Sequence, residues 1–231
     1  MKSILIHHHL GLGDHIICNG LVRFILDEYK LSRIYLPTKV QNYSTVSQMF
    51  EDRLEIVPVS VKNDEEVYAL PELKLCDKVI SVGFSKLRPD WDVSFYETIG
   101  LPFSIRWSKF KVARNIKREK TLISKISLEK DEPFVLIHNQ GSVGKFDLLI
   151  NTNIKKIYVE PLTDCMLDWC ELAESAEQVH CIDSSFIHLA QSLNVKSGFF
   201  HNIRNVKYMS IYSKLFCINN SWKVIDYSTK G

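Results

Sequence analysis

The stretch that most constrains this chain is its first, Ser3-Ile-Leu-Ile-His-His-His-Leu-Gly-Leu-Gly-Asp14, with the run Ile16 to Leu26 behind it. A β-type apolar run ends in a glycine-rich turn, a carboxylate closes the turn, and an amphipathic pattern begins at once. From His15 the residues Ile17, Leu21, Phe24 and Ile25 fall at i, i+4, i+7 and i+8, one face of a helix. Strand, tight turn and helix in that order build a pocket at the C-terminal end of a first parallel strand, with a helix N-terminus facing it. Gly11, Gly13 and Asp14 are therefore expected to border whatever the protein binds.

The pattern continues in the same sense. Strand-like runs at 33–37, 54–61 and 77–82 alternate with helix-like segments at 40–50 and 65–73, which indicates a parallel sheet with helices on its faces. Residues 91–112 are rich in aromatics and read as a packed connector. Residues 113–131 are the most polar interval and the best candidate for a domain boundary. The basic run inside it, Arg114-Asn-Ile-Lys-Arg-Glu-Lys120, reads as a solvated connector.

The opening then recurs in Phe134-Val-Leu-Ile-His-Asn-Gln-Gly-Ser-Val-Gly-Lys145, again strand, histidine, glycine turn and polar residue. Further strands are expected at 155–159, 178–182, 197–201 and 222–227, and helices at 165–176 and 186–193. The chain is thus predicted to be α/β, with two Rossmann-like parallel-sheet halves facing a cleft: an N-terminal domain 1–115 and a C-terminal domain 116–231.

Composition narrows the class. With 231 residues and 45% hydrophobic residues the chain can bury a sizeable core. A net charge of +2 is too small to suggest a nucleic-acid partner. Six cysteines without CxxC spacing, no signal-like start and no membrane-length apolar run predict reduced thiols in the cytoplasm and no transmembrane segment.

Several residues could carry chemistry. Ile16 stands where a dinucleotide fingerprint needs its third glycine, and GxxxxGK[ST] is absent, so NAD and ATP-hydrolysis readings lose their support. Asp14 by itself reads as a helix N-cap; facing a cleft, it would be a general base toward a hydroxyl. In Asp183-Ser-Ser-Phe-Ile-His-Leu-Ala190 a strand end meets a helix start, where Ser184, Ser185 and the first amides offer an anion site. His188 lies about one turn in. Lys145 could hold a phosphate as a point charge. Arg204 is a similar phosphate candidate after a late strand, and Glu160 a candidate for a ribose hydroxyl. His7 and His9 share one face of a strand while His8 takes the other, so the three do not converge on a metal.

On these motifs the chain resembles the heptosyltransferases and related inverting glycosyltransferases of the GT-B fold. The strand-LGLGDHIICNGLVR opening looks like theirs, where a Gly-Asp pair lies between the first strand and helix. Cys181-Ile-Asp-Ser-Ser-Phe-Ile-His-Leu-Ala190 resembles their later signature, with Ser185 where a glycine is usual. His138 through Lys145 sits where that family has a phosphate-binding glycine turn with a lysine. The resemblance implies that Asp14 deprotonates an acceptor hydroxyl and that Lys145, Ser184, Ser185 and His188 hold the diphosphate of a nucleotide sugar. It implies no metal or other cofactor. The partners would be a nucleotide-sugar donor and a saccharide or other hydroxyl acceptor. Two alternatives keep the same architecture: a non-catalytic nucleotide- or sugar-binding module, and a sugar-nucleotide epimerase.

Overall fold

The computed structural model describes residues 2–84, 91–129, 131–203 and 221–227. Contacts divide the chain into two compact units, Met1–Arg114 and Asn115–Gly231.

The first unit begins with β1 (Ser3–His7), α1 (Leu12–Ile17), α2 (Asn19–Glu28), β2 (Arg33–Lys39), α3 (Tyr43–Met49) and β3 (Ile56–Val61). It continues with α4 (Asp64–Val67), β4 (Lys78–Ser81), α5 (Trp91–Glu97) and α6 (Ile105–Ser108). Its four strands are parallel in the order β3-β2-β1-β4. Ile4, Leu5 and Ile6 are all buried, as a strand covered on both faces requires. The first helix starts at Leu12 rather than at His15, so the glycine turn is already helical, and Cys18 separates α1 from α2.

Two expectations change here. The segment 65–73 is not one helix. Asn63 caps α4 by accepting the Glu66 amide at 3.0 Å, but Pro71 opens a separate 3-10 turn, Pro71–Leu75. The aromatic stretch 91–112 carries two helices, α5 and α6, around a buried ion pair, Arg106 to Asp92 at 2.6 Å. The Arg106 guanidinium also lies 4.3 Å from the Trp107 ring centre. Tyr96 donates its hydroxyl to the Ile17 carbonyl at 2.7 Å, fixing α5 to α1. Gly20 lets α2 approach α6: a Cβ there would lie 2.5 Å from the Ile105 carbonyl oxygen.

The second unit opens with α7 (Ile116–Ile126), inside the interval read as a domain boundary, and its start lies in the run read as a solvated connector. Asn115 accepts the Arg118 amide at 3.1 Å and caps it. Glu119 and Leu122 turn inward, and Arg118 clamps Asp168 at 2.9 Å and also pairs with Asp164. Charge density hid an amphipathic helix whose charges are structural. Next come β5 (Phe134–His138), β6 (Gln140–Gly141), β7 (Gly144–Lys145), β8 (Lys155–Tyr158), α8 (Cys170–Ser175), β9 (Gln178–Ile182), α9 (Ser185–Ala190), β10 (Gly198–Asn202) and β11 (Trp222–Asp226). Five of these strands form a parallel sheet in the order β11-β10-β9-β5-β8.

The second glycine turn does not lead into a helix. β6 and β7 are an antiparallel hairpin, closed at Gly144 with φ 127°, a backbone conformation that favours glycine. The two openings are therefore alike only as far as their strands. A line of side chains runs across β9 and β10. His180 donates Nε2–H to Gln178 Oε1 at 3.0 Å and accepts at Nδ1 from His201 Nε2 at 2.9 Å. His201 Nδ1 accepts the Tyr227 hydroxyl at 2.9 Å, and that oxygen accepts the Leu149 amide at 2.9 Å.

Among the described residues no helix is long and apolar enough to cross a membrane. Cys18, Cys76, Cys165, Cys170 and Cys181 are free thiols.

Candidate functional site

Topology locates the candidate site in each unit. In the first, the strand order reverses direction between β1 and β4. In the second, it reverses between β5 and β9. Open parallel sheets bind ligands beyond the C-terminal ends of the strands at such a switch point.

In the first unit the two loops leaving this crevice are tied together. Val82 donates its amide to the His7 carbonyl at 2.7 Å, and His9 donates Nε2–H to the Gly83 carbonyl at 2.8 Å. Gly83 has φ 84°, and a Cβ on it would meet the Phe95 ring at 2.3 Å. Asp14 is the third residue of α1, and Gly13 the second. Gly11, not Asp14, is the N-cap. The Asp14 carboxylate folds back and accepts the Gly11 amide, the reciprocal half of a capping box. Gly11 makes room for this: a Cβ there would lie 2.6 Å from Asp14 Oδ2. Half-buried and closely surrounded, Asp14 has its pKa pushed up to about 7, chiefly by burial. His9, the Gly11 amide and Lys39 oppose the rise, and Asp64 adds to it. A carboxyl group so placed exchanges a proton near neutral pH.

His8 and His15 are held neutral. His8 donates Nδ1–H to the His9 carbonyl at 2.5 Å and meets His15 edge-on, ring centres 4.3 Å apart. Burial lowers the His8 pKa to about 4 and holds His15 well below its usual value. His7 lies on the opposite face, Nε2 3.0 Å from Asp64 Oδ1.

In the second unit Ser184 Oγ lies 3.0 Å from His138 Nδ1 and links the ends of β9 and β5 across the switch point. Ser184 is the N-cap of α9, but its side chain makes no capping bond; its hydroxyl also reaches the Ile182 carbonyl at 3.3 Å. Ser185 is the first residue of α9. His138 stacks on Phe186 at 5.2 Å, and burial lowers its pKa to about 4. His188 is only 2% exposed. Lys145 is exposed on the hairpin, its ammonium 5.3 Å above the Tyr158 ring. Glu160 is exposed beyond β8. Arg204 lies outside the described residues.

Ser184 thus meets a residue that sequence reasoning did not single out. The signal for His138 was present: β1 and β5 both end in Leu-Ile-His, the histidine at the strand's C-terminal end. Among the described residues no group of three or more His, Cys, Asp or Glu side chains is placed to hold a metal ion.

Neither a protein-family model nor a curated protein matches the sequence. Solved structures do match the fold. A glycosyl transferase family 9 structure from Veillonella parvula aligns with a TM-score of 0.59 at 11% identity, over 97% of this chain and 86% of that one. The ADP-heptose LPS heptosyltransferase II of E. coli aligns at 0.55 and 11% identity, over 97% and 90%. The iron-containing dodecameric glycosyltransferase TibC of enterotoxigenic E. coli gives 0.52 at 10% identity, over 87% of this chain and 57% of that one. At such identities the likeness is one of fold, and the chain has the GT-B-like α/β fold of these glycosyltransferase structures.

Proposed function

We propose that this protein is a glycosyltransferase that moves a sugar from a nucleotide-sugar donor to a hydroxyl acceptor with inversion. The observation that carries the reading is Asp14, a half-buried carboxylate at the switch point of the first unit with its pKa raised to about 7. The shared fold supports it, and the donor class follows the ADP-heptose in the name of one structural neighbour.

In this scheme the first unit is the acceptor side and the second the donor side. The acceptor hydroxyl gives its proton to Asp14 as its oxygen bonds to the anomeric carbon. The bond from that carbon to the diphosphate oxygen breaks, and the electron pair leaves with the nucleoside diphosphate. Ser184, Ser185, the amides opening α9 and Lys145 hold the diphosphate and take up its developing charge. His188, buried on α9, acts through the placement of that helix start. No metal or other cofactor is assigned to the step.

Replacing Asp14 with Ala tests the reading. Transfer is expected to vanish while nucleotide binding stays nearly intact; full activity in Asp14→Ala removes the base assignment. Nucleotide-sugar binding without turnover on any acceptor leaves a binding module. Conversion of one nucleotide sugar to another with no acceptor present leaves an epimerase.

A further inference from the structure

A line of rings borders the crevice of the first unit on the β4 side. Tyr68 meets His7 edge-on at 5.6 Å; His7 meets Phe84 at 4.7 Å; Phe84 meets His9 at 4.5 Å. Its aromatic members are open to solvent, Tyr68 at 70% and Phe84 at 46%, although hydrophobic rings of this size are costly to leave exposed. The histidines between them are held in place, His7 by Asp64 and His9 by the Gly83 carbonyl. Asp64 uses Oδ1 for His7, and its side chain is 49% exposed. The line meets the loop between β1 and α1, which carries His9 and leads into the helix that bears Asp14.

Exposed rings beside exposed carboxylates suit one ligand chemistry well. A pyranose has a face of C–H groups, weakly positive, which the negative face of an aromatic ring attracts. Its hydroxyls donate to carboxylate oxygens. An acidic sugar would set its own carboxylate against Asp64, with Glu65 exposed beside it.

We propose that Phe84 and Tyr68, steadied by His9 and His7, form an acceptor subsite that stacks an uncharged pyranose, with Asp64 holding its hydroxyls and presenting one of them to Asp14. The assignment to the acceptor rests on reading Asp14 as the base; the binding of the sugar does not.

Saturation-transfer NMR on the full chain tests it, with methyl glucoside, methyl galactoside and methyl N-acetylglucosaminide as probes and glucuronate beside them. At least one neutral glycoside is expected to receive saturation on its C–H protons. The effect should fall at least fivefold in Phe84→Ala and in Tyr68→Ala, return in Phe84→Tyr, and persist in Asp14→Asn. Thermal melts of the ring variants, expected to match the parent, separate lost binding from lost folding. The subsite is overturned if no neutral glycoside binds, if glucuronate alone binds, or if both folded alanine variants bind like the parent. Glycoside binding that needs the rings, in a protein that transfers no sugar, refutes the glycosyltransferase reading and leaves the subsite standing. Transfer with an unchanged acceptor KM in both ring variants does the reverse.

Discussion

The two switch-point crevices start from the same strand ending and are finished differently. β1 and β5 each close on Leu-Ile-His. After β1 the chain turns directly into α1 and delivers a carboxylate whose pKa is raised to about 7. After β5 it folds into a hairpin, and the helix start comes instead from the end of β9, bringing a serine hydroxyl to a neutral histidine. A shared scaffold thus carries a carboxylate of raised pKa in one unit and a serine–histidine pair in the other. The chemistry is decided by the segment into which each strand leads, in keeping with function residing in sites set upon folds.

The sharpest way to break this contrast is Asp14→Asn. Loss of a general base is expected to lower kcat by about 10³-fold, while calorimetric titration with the nucleotide stays unchanged. If turnover survives, Asp14 is not the base and the contrast between the crevices has no catalytic meaning.

Asp92→Ala asks whether the units stand alone. It leaves Arg106 buried without the partner it has at 2.6 Å, a loss of about 3–5 kcal/mol. Denaturant unfolding should then show a first transition moved to lower concentration, with the His180 and His201 signals of the second unit unaffected. A single transition that shifts as a whole would join the two units energetically.

The pH responses should oppose each other. Activity that needs ionised Asp14 falls as pH drops below about 7, so kcat/KM should lose about tenfold per pH unit on that limb. For stability the signs run in opposite directions. Asp14 has a raised pKa, so its favourable contribution is complete below its ordinary 3.8 and is lost as pH rises through about 7. Asp14→Asn should therefore gain on the parent above pH 7. His138 has a lowered pKa; its contribution is present above the ordinary 6.5 and is lost as pH falls toward about 4. Thermal melts across pH 4–8, compared between parent, Asp14→Asn and His138→Gln, read both directions.

The smallest effect is expected for Ser184→Ala. It removes one proposed hydroxyl donor to the diphosphate, worth about 1 kcal/mol, so the nucleotide Kd should rise about fivefold. An unchanged Kd would take Ser184 out of the donor site.

How far the sequence could be read depends on the partners each residue answers to. The strands were legible because Ile4, Leu5 and Ile6, and Val135, Leu136 and Ile137, are buried on both faces and so must be apolar together. Helix α7 was not, because its inward face includes Glu119, which accepts the Glu171 amide at 2.9 Å, and its charged Arg118 is committed to Asp168. Pairing partners some 50 residues away leave no local mark. The same holds at the candidate site. Asp14 was conspicuous, but its fold-back onto Gly11 was not. Ser184 reads in the sequence as part of an anion site, and its 3.0 Å contact with His138, distant in sequence, leaves no local mark. His188 is buried, which its place in the motif does not reveal.

The line from Gln178 to Leu149 has a consequence of its own. Every donor in it points the same way, so His180 and His201 are both locked with their proton on Nε2. Each ring's choice dictates the next, and aligned dipoles of this kind reinforce one another. A change at Gln178, on the sheet, is therefore a message addressed to the Leu149 amide. Gln178→Leu should move the nitrogen resonances of both imidazoles and the amide proton of Leu149 together, although in this line only His180 bonds to residue 178.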